Sequence, residues 1–301
     1  MYAYSGETAA LGAALGWTIS ALCWTAAGKR IGSLAVNTVR LVIALPLFLI
    51  YGHFVLGEAI PLSASLHAWL YMGLSGVLGF FLCDLFLFRA FLIIGPRLGL
   101  LILSLSPLVS AVCGWWWLDE RLSPLDIAGM LIALTGVAWV VLEAPRSDST
   151  AARTAGSIPW LGIALACAGM LAQGVSNVVA KNGLDGMESP VAATQIRLIA
   201  GLLCFLVLAP LAGKHQDCIN TFKDRSTMII LTTGTIAGPT IGVALLMYAI
   251  TQIPTGLAMT FTSLSTVMII PLTAIIHKEK ISGRAICGAV VACTGSALLL
   301  L

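Results

Sequence analysis

Ser104-Leu105-Ser106 lies inside an apolar run, and the same triplet returns as Ser263-Leu264-Ser265, 159 residues further on. Upstream, the same shift superposes Gly79 on Gly238, Ala90 on Ala249 and Ile94 on Ile253. Downstream it superposes Glu120 on Glu279, Ser123 on Ser282, Gly129 on Gly288 and Thr135-Gly136 on Thr294-Gly295, without a gap. Near the start of each half, Arg40-Leu41 matches Arg197-Leu198 at a shift of 157 residues. Apolar residues coincide by chance, but charged, glycine and loop positions do so far less readily. The chain therefore reads as a tandem repeat.

The repeat is embedded in an unusually apolar chain. Of 301 residues, 59% are apolar and 10% charged, against about 25% charged in an ordinary soluble domain. The mean hydropathy is +1.00. A spanning helix needs about 20 mostly apolar residues, and such runs fall at 7–27, 34–53, 67–94, 97–118, 124–143, 158–180, 190–212, 226–250, 255–276 and 282–301. They do not alternate as barrel strands would, and lipid leaves exposed backbone no other partner, so they are helices. Ser123-Pro124 with Asp126, Ser189-Pro190, Ser157, Ser226 and Ser282 supply helix starts. Met1–Thr8 lacks the basic region of a signal peptide, so the first run is predicted to be a retained helix. The eight cysteines lie mostly in apolar runs and read as small core residues.

The predicted fold is all-α and integral to the membrane, with ten transmembrane helices as two five-helix repeats. The halves are 1–143 and 158–301, joined by the polar linker 144–157. Five is odd, so the second half enters the bilayer with inverted topology, an arrangement of secondary transporters whose substrate site lies between the halves. Lys29, Arg30, Arg97, Arg146, Arg153, Lys214, Lys223, Arg225, Lys278, Lys280 and Arg284 occupy one set of loops; the alternate set holds only Arg121 and Lys181. The basic set is expected to be cytoplasmic, with both termini outside.

Three segments carry a resemblance: Ala90-Phe91-Leu92-Ile93-Ile94-Gly95-Pro96-Arg97, Leu103-Ser104-Leu105-Ser106-Pro107-Leu108 and Leu118-Asp119-Glu120-Arg121-Leu122-Ser123-Pro124. His277-Lys278-Glu279-Lys280-Ile281-Ser282 echoes the last of these, and Ser176-Asn177-Val178-Val179-Ala180-Lys181 resembles the first helix of a repeat. Together they resemble the ten-helix EamA-type family of the drug/metabolite transporter superfamily. That resemblance covers the whole chain. It implies export or exchange of small metabolites, often amino acids, through a cavity between the halves. Thr266 replaces the proline after the second Ser-Leu-Ser, so the two copies of this helix are expected to bend differently.

Ionisable residues inside a span cost roughly 2.5–3.5 kcal/mol at its centre. Asp84 is the only acidic residue well inside a span. It is a coupling site for a proton or cation, a counter-charge for a substrate amine, or a structural partner. Its counterpart is Val243. Arg89 lies five residues on, a poor same-helix partner for Asp84, and reads as snorkelling. Arg40 and Arg197 occupy matched places, which argues for one repeated role: binding a substrate carboxylate or tying helices together. Arg40 could equally snorkel. Trp17, Ser20, Gln173, Asn177, Tyr248, Ser104, Ser106, Thr262, Ser263 and Ser265 form a polar group suited to a zwitterionic metabolite, or to bonding between helices. Gly234, Gly238 and Gly242 read as a packing stripe, Trp115–Trp117 as an interfacial anchor, and Glu120 as a loop salt bridge or cap.

No His-Glu-x-x-His, Gly-x-Ser-x-Gly or phosphate-binding loop is present, and His53, His67, His215 and His277 are far apart. The sequence predicts no enzyme, metal or cofactor, and a net charge of +3 does not argue for nucleic acid. Its partners are the lipid bilayer of the cell membrane, a small-molecule substrate, and protons or a counter-substrate. A lipid or lipid-linked sugar flippase and a passive channel are the alternatives.

Overall fold

The computed structural model describes residues 4–143, 160–185, 187, 189–265, 267–268 and 283–298. Among them there is no strand. The first half contains α1 (Ser5–Ile31), α2 (Ser33–Tyr51), α3 (Leu66–Gly76), α4 (Asp84–Leu103), α5 (Ser106–Leu118) and α6 (Pro124–Glu143). The second contains α7 (Trp160–Gly183), α8 (Pro190–Leu211), short α9 (His215–Thr221), α10 (Arg225–Thr235), α11 (Val243–Gln252), α12 (Thr255–Ser263) and α13 (Gly283–Leu298). Two π-helical segments, Val77–Cys83 and Ile236–Gly242, join α3 to α4 and α10 to α11; a third, Gly52–Leu56, ends α2.

Among the described residues, seven stretches are long and apolar enough to cross a membrane: Ser5–Gly28, Ser33–Phe54, Leu66–Ala90, Leu101–Leu118, Trp160–Gly183, Pro190–Leu211 and Arg225–Gln252. Shorter apolar helices, Pro124–Val140 and Ile286–Leu298, fall at the predicted fifth and tenth spans. Of the predicted ninth span, α12 and residues 264, 265, 267 and 268 are described. The expected caps Ser157 and Ser282, and Glu279, lie outside the described residues.

The start signals act as their chemistry requires. Ser123 and Asp126 form a reciprocal capping box, with Asp126 Oδ2 accepting from Ser123 N–H at 2.8 Å and Ser123 Oγ from Asp126 N–H at 3.1 Å. Ser189 Oγ accepts from Ala192 N–H. At α10 the cap is Asp224 rather than Ser226, because its carboxylate accepts from both the Ser226 and Thr227 amides.

One expected boundary moves. The helix does not turn at Gly95-Pro96; α4 continues to Leu103 and the break comes at Ser104-Leu105. Membrane helices tolerate such a proline when neighbouring groups re-satisfy the freed backbone. Pro107 falls in the first turn of α5, where its missing N–H costs nothing. Thr266, on which the expected difference between the two Ser-Leu-Ser copies rests, lies outside the described residues, but the turn bonds of the two copies match. Leu105 N–H donates to Ile102 O and Leu108 N–H to Leu105 O; Leu264 N–H donates to Phe261 O and Val267 N–H to Leu264 O, the same bonds 159 residues on. The tight turn, not the proline, sets the break.

The halves interlock by exchange. α1 packs along α10 and α11, as α7 packs along α3 and α4. Gly6 faces Gln252, Gly12 faces Leu245, Gly16 faces Ala237 and Gly234 faces Cys23, so α1 and α10–α11 run antiparallel. Likewise Gly162 faces Ile94, Gly169 faces Cys83 and Gly183 faces Met72. The closing helices α6 and α13 cross antiparallel through Gly136 on Ala292 and Gly295 on Ala133. The main buried cluster draws on both halves, with Leu41, Phe48, Met72 and Phe80 against Leu198, Phe205, Met247 and Phe261. Trp115, Trp116 and Trp117 are exposed at the end of α5, as interfacial anchors are.

Candidate functional site

The first helix of each half donates a serine across to the π-helical joint of the other. Ser20 Oγ donates to Gly234 O at 2.6 Å. Ser176 Oγ donates to Ser75 O at 2.8 Å, and Ser75 Oγ returns a bond to Ser176 O at 2.6 Å. Ser75 and Gly234 are 159 residues apart, as are the π-helical segments that follow them. Gly79 and Gly238 make the approach possible, since a Cβ on either would collide with the facing serine hydroxyl. The glycine stripe of the second half is thus a packing surface for α1. A π-helical turn resets the facing of every residue after it and often marks a functional position. Asp84 is the first residue beyond one such segment and Val243 the first beyond the other.

Asp84 forms an ion pair with Arg40 from α2; the guanidinium is 2% exposed and the carboxylate 17%. Arg40 also lies 4.3 Å from the centre of the Trp24 ring. It therefore does not snorkel. Arg197 repeats the placement but not the partnership. Its Nη1 reaches Met247 Sδ at 2.9 Å, its Nη2 donates to Ser176 Oγ at 3.2 Å, and its carbon sits 5.5 Å from the Phe80 ring centre. Its Nε, like that of Arg40, is buried without a partner. Both arginines bridge helices, but the first half answers the charge with a carboxylate and the second with a thioether and a hydroxyl. Arg89 is exposed.

The remaining predicted residues divide into two groups. Ser106, Gln173, Asn177 and Ser265 gather at the helix breaks. The Ser106 carbonyl abuts Gly174, between Gln173 and Asn177, while Ser110 Oγ donates to Gly174 O at 3.1 Å. In the matching place Thr18 Oγ1 donates to Ser265 O at 3.1 Å. Asn177 Nδ2 donates to Gln173 O at 2.8 Å and reaches Met259 Sδ at 3.1 Å, leaving its buried Oδ1 unpartnered. The second group is turned onto its own helices or outward. Ser104 Oγ donates to Leu101 O, Thr262 Oγ1 to Ala258 O and Ser263 Oγ to Thr260 O. Trp17 is half-buried, edge-on to Trp24, and Tyr248 is exposed.

Sequence reasoning missed Trp24, Ser75, Thr18 and Met247. The repeat itself carried the signal for the serines: Ser20 and Ser176 align at a shift of 156 residues, close to the shift of Arg40 and Arg197. It also missed the partners of Glu120. Glu120 pairs with Lys181 at 2.5 Å and accepts from Thr255 N–H at 3.1 Å and Thr255 Oγ1 at 2.9 Å, capping α12 from the other half.

The sequence pattern of the EamA-like transporter family matches this chain twice, at residues 4–142 and 160–301. No curated protein matches it. A crystal structure of a protein 18% identical aligns over 99% of this chain and 98% of its own, with a TM-score of 0.71. At that identity the likeness is one of fold.

Proposed function

Because the chain belongs to the EamA-like transporter family, we propose that it is a secondary active transporter of the cell membrane. It exports small polar metabolites, amino acids among them, by alternating access between two inverted five-helix halves, residues 1–143 and 158–301. The observation that carries this reading is the exchanged serine bond. Each half inserts its first helix into the other and fastens it at a π-helical joint, through Ser20 to Gly234 and Ser176 to Ser75. Rocking one half on the other then acts on both joints at once, next to Asp84 and Arg197. The antiparallel crossing of α6 and α13, which occupy the same place in the two repeats, supports the inversion.

Asp84 is the coupling group in this reading. As a carboxylate it holds Arg40 and so ties α4 to α2. Taking up a proton removes the charge attraction and loosens that tie, letting proton binding select between conformations. The test is transport in proteoliposomes under an imposed pH gradient. Asp84→Asn should abolish gradient-driven transport while leaving part of the substrate exchange. If the variant transports with unchanged pH dependence, Asp84 does not couple.

A further inference from the structure

We propose that Arg197 is the docking group for a substrate carboxylate, so that the transported metabolite is a small carboxylic or amino acid seated against the second half. This rests on the transporter reading and gives it a substrate class.

Arg197 is 3% exposed and lies seven residues past Pro190, about 10 Å along α8. Among the described residues its contacts are neutral: a thioether, a hydroxyl and an aromatic face. Arg40 shows what the same position looks like when its charge is answered, with Asp84 in an ion pair and Trp24 across the guanidinium. Among the described residues no second carboxylate lies well inside a span. Of the chain's thirteen acidic residues only Asp84 is so placed, and Val243 stands at the repeated position.

A guanidinium buried away from an anion is costly to keep. A ligand that brings the anion relieves that cost, so the absent charge becomes a source of affinity and selectivity. The geometry suits it. Met247 offers a weak acceptor on a flexible side chain, readily displaced by a planar carboxylate that matches the guanidinium fork. Gly79 leaves room, because a Cβ there would stand 3.2 Å from Nη2. Phe80 and Gly79 belong to the first half, Ser176 and Met247 to the second. A carboxylate on Arg197 therefore lies where the two halves meet, the place from which a ligand can favour one conformation over the other.

The experiment uses the purified full chain, with L-leucine, L-threonine and L-phenylalanine, each beside its carboxamide, followed by thermal shift and by counterflow in proteoliposomes. At least one acid should raise Tm where its carboxamide does not. Arg197→Gln should weaken that acid at least about tenfold, or about 1.4 kcal/mol, with Arg197→Lys in between. Met247→Glu places a carboxylate beside Nη1 and should abolish the acid's effect; Met247→Gln should keep it. This pair stands even if the arginine variants fail to fold. Equal response to acid and carboxamide, or acid binding that survives Met247→Glu, overturns the proposal. So does a chain that ignores the acids yet binds or moves amines, sugars or nucleosides, in which case the transporter reading stands. If no solute of any class binds or moves, that reading fails and takes this one with it.

Discussion

Arg40 and Arg197 are the same residue in the same place of two repeats, and their removal should have opposite consequences. Arg40→Met strands Asp84 as an uncompensated charge that is only 17% exposed. Breaking a buried pair from one side costs about 3–5 kcal/mol, here toward the lower end because the carboxylate retains some solvent. Arg197→Met strands no charge among the described residues. Without ligand it should cost less than about 1 kcal/mol or stabilise the fold. Unfolding of the two variants in detergent measures the difference, and equal losses would show that Arg197 has a partner anion within the protein. The serines are unequal in the same sense. Ser20→Ala removes a bond between helices worth about 0.6 kcal/mol. Ser176→Ala also deprives Arg197 Nη2 and the Ser75 pair, and should cost about 1–3 kcal/mol. Outside the membrane, Asp224 titrates below the ordinary carboxylate range because the Thr227 hydroxyl and amide hold its charged form. Its folded-state pKa is depressed, so its capping of α10 is fully present above the unfolded value near 3.9 and is lost as pH falls through the folded one. Asp224→Asn should flatten the acid limb of the stability profile.

At the scale of elements, the π-helical segments decide which side chains meet. Gly79→Ala drives a Cβ to 2.5 Å from Ser176 Oγ and 3.2 Å from Arg197 Nη2, whereas Gly238→Ala presses on Ser20 and meets Trp24 only at an ordinary 3.6 Å. Each should cost about 1–3 kcal/mol by overpacking, but only Gly79→Ala should also alter ligand response. Thermal shift with and without an acidic ligand separates the two effects. These joints explain what the sequence could and could not disclose. Repeat, apolar runs and the Ser123–Asp126 box were legible because each is written in local spacing. The facing of Asp84 was not, since a wider helical turn just before it displaces everything downstream and leaves no compositional mark beyond glycines that read equally as packing. The break at Leu105 was hidden for a similar reason. Gly95-Pro96 carries the stronger local breaker signal, yet α4 runs through it, and a Ser-Leu-Ser turn without any need of proline ends the helix instead. The polar group was identified as residues, but its division between helix breaks and self-bonded turns depends on rotation about each axis.

At the scale of the molecule, Glu120, Lys181 and Thr255 bring together three chain segments from both halves: the turn after α5, the end of α7 and the start of α12. Glu120 folds back over Gly114, where a Cβ would collide with its carboxylate, and the turn that aims it needs Asp119 in the left-handed region at φ 55°. The carboxylate is 9% exposed and the Lys181 ammonium 24%. Lys181 Nζ also donates to Ile253 O at 3.2 Å, so one cluster fixes both sides of the Pro254 turn. The residues lie in the loops that hold few basic side chains, and there they link the two halves. Glu120→Gln keeps the shape and removes the charge, weakening the ion pair and the charge-assisted bonds from Thr255, each worth about 1.5–3 kcal/mol. Amide exchange over residues 253–258 should then rise, with exchange in α13 unchanged, because α13 packs chiefly on α6. Lys181→Met in the same background should add little, since its partner charge is already gone. If the 253–258 amides exchange as in the parent protein, the cluster caps α12 without holding the halves together, and their link at this end must be sought in the apolar contact of Ala111 with Gly256.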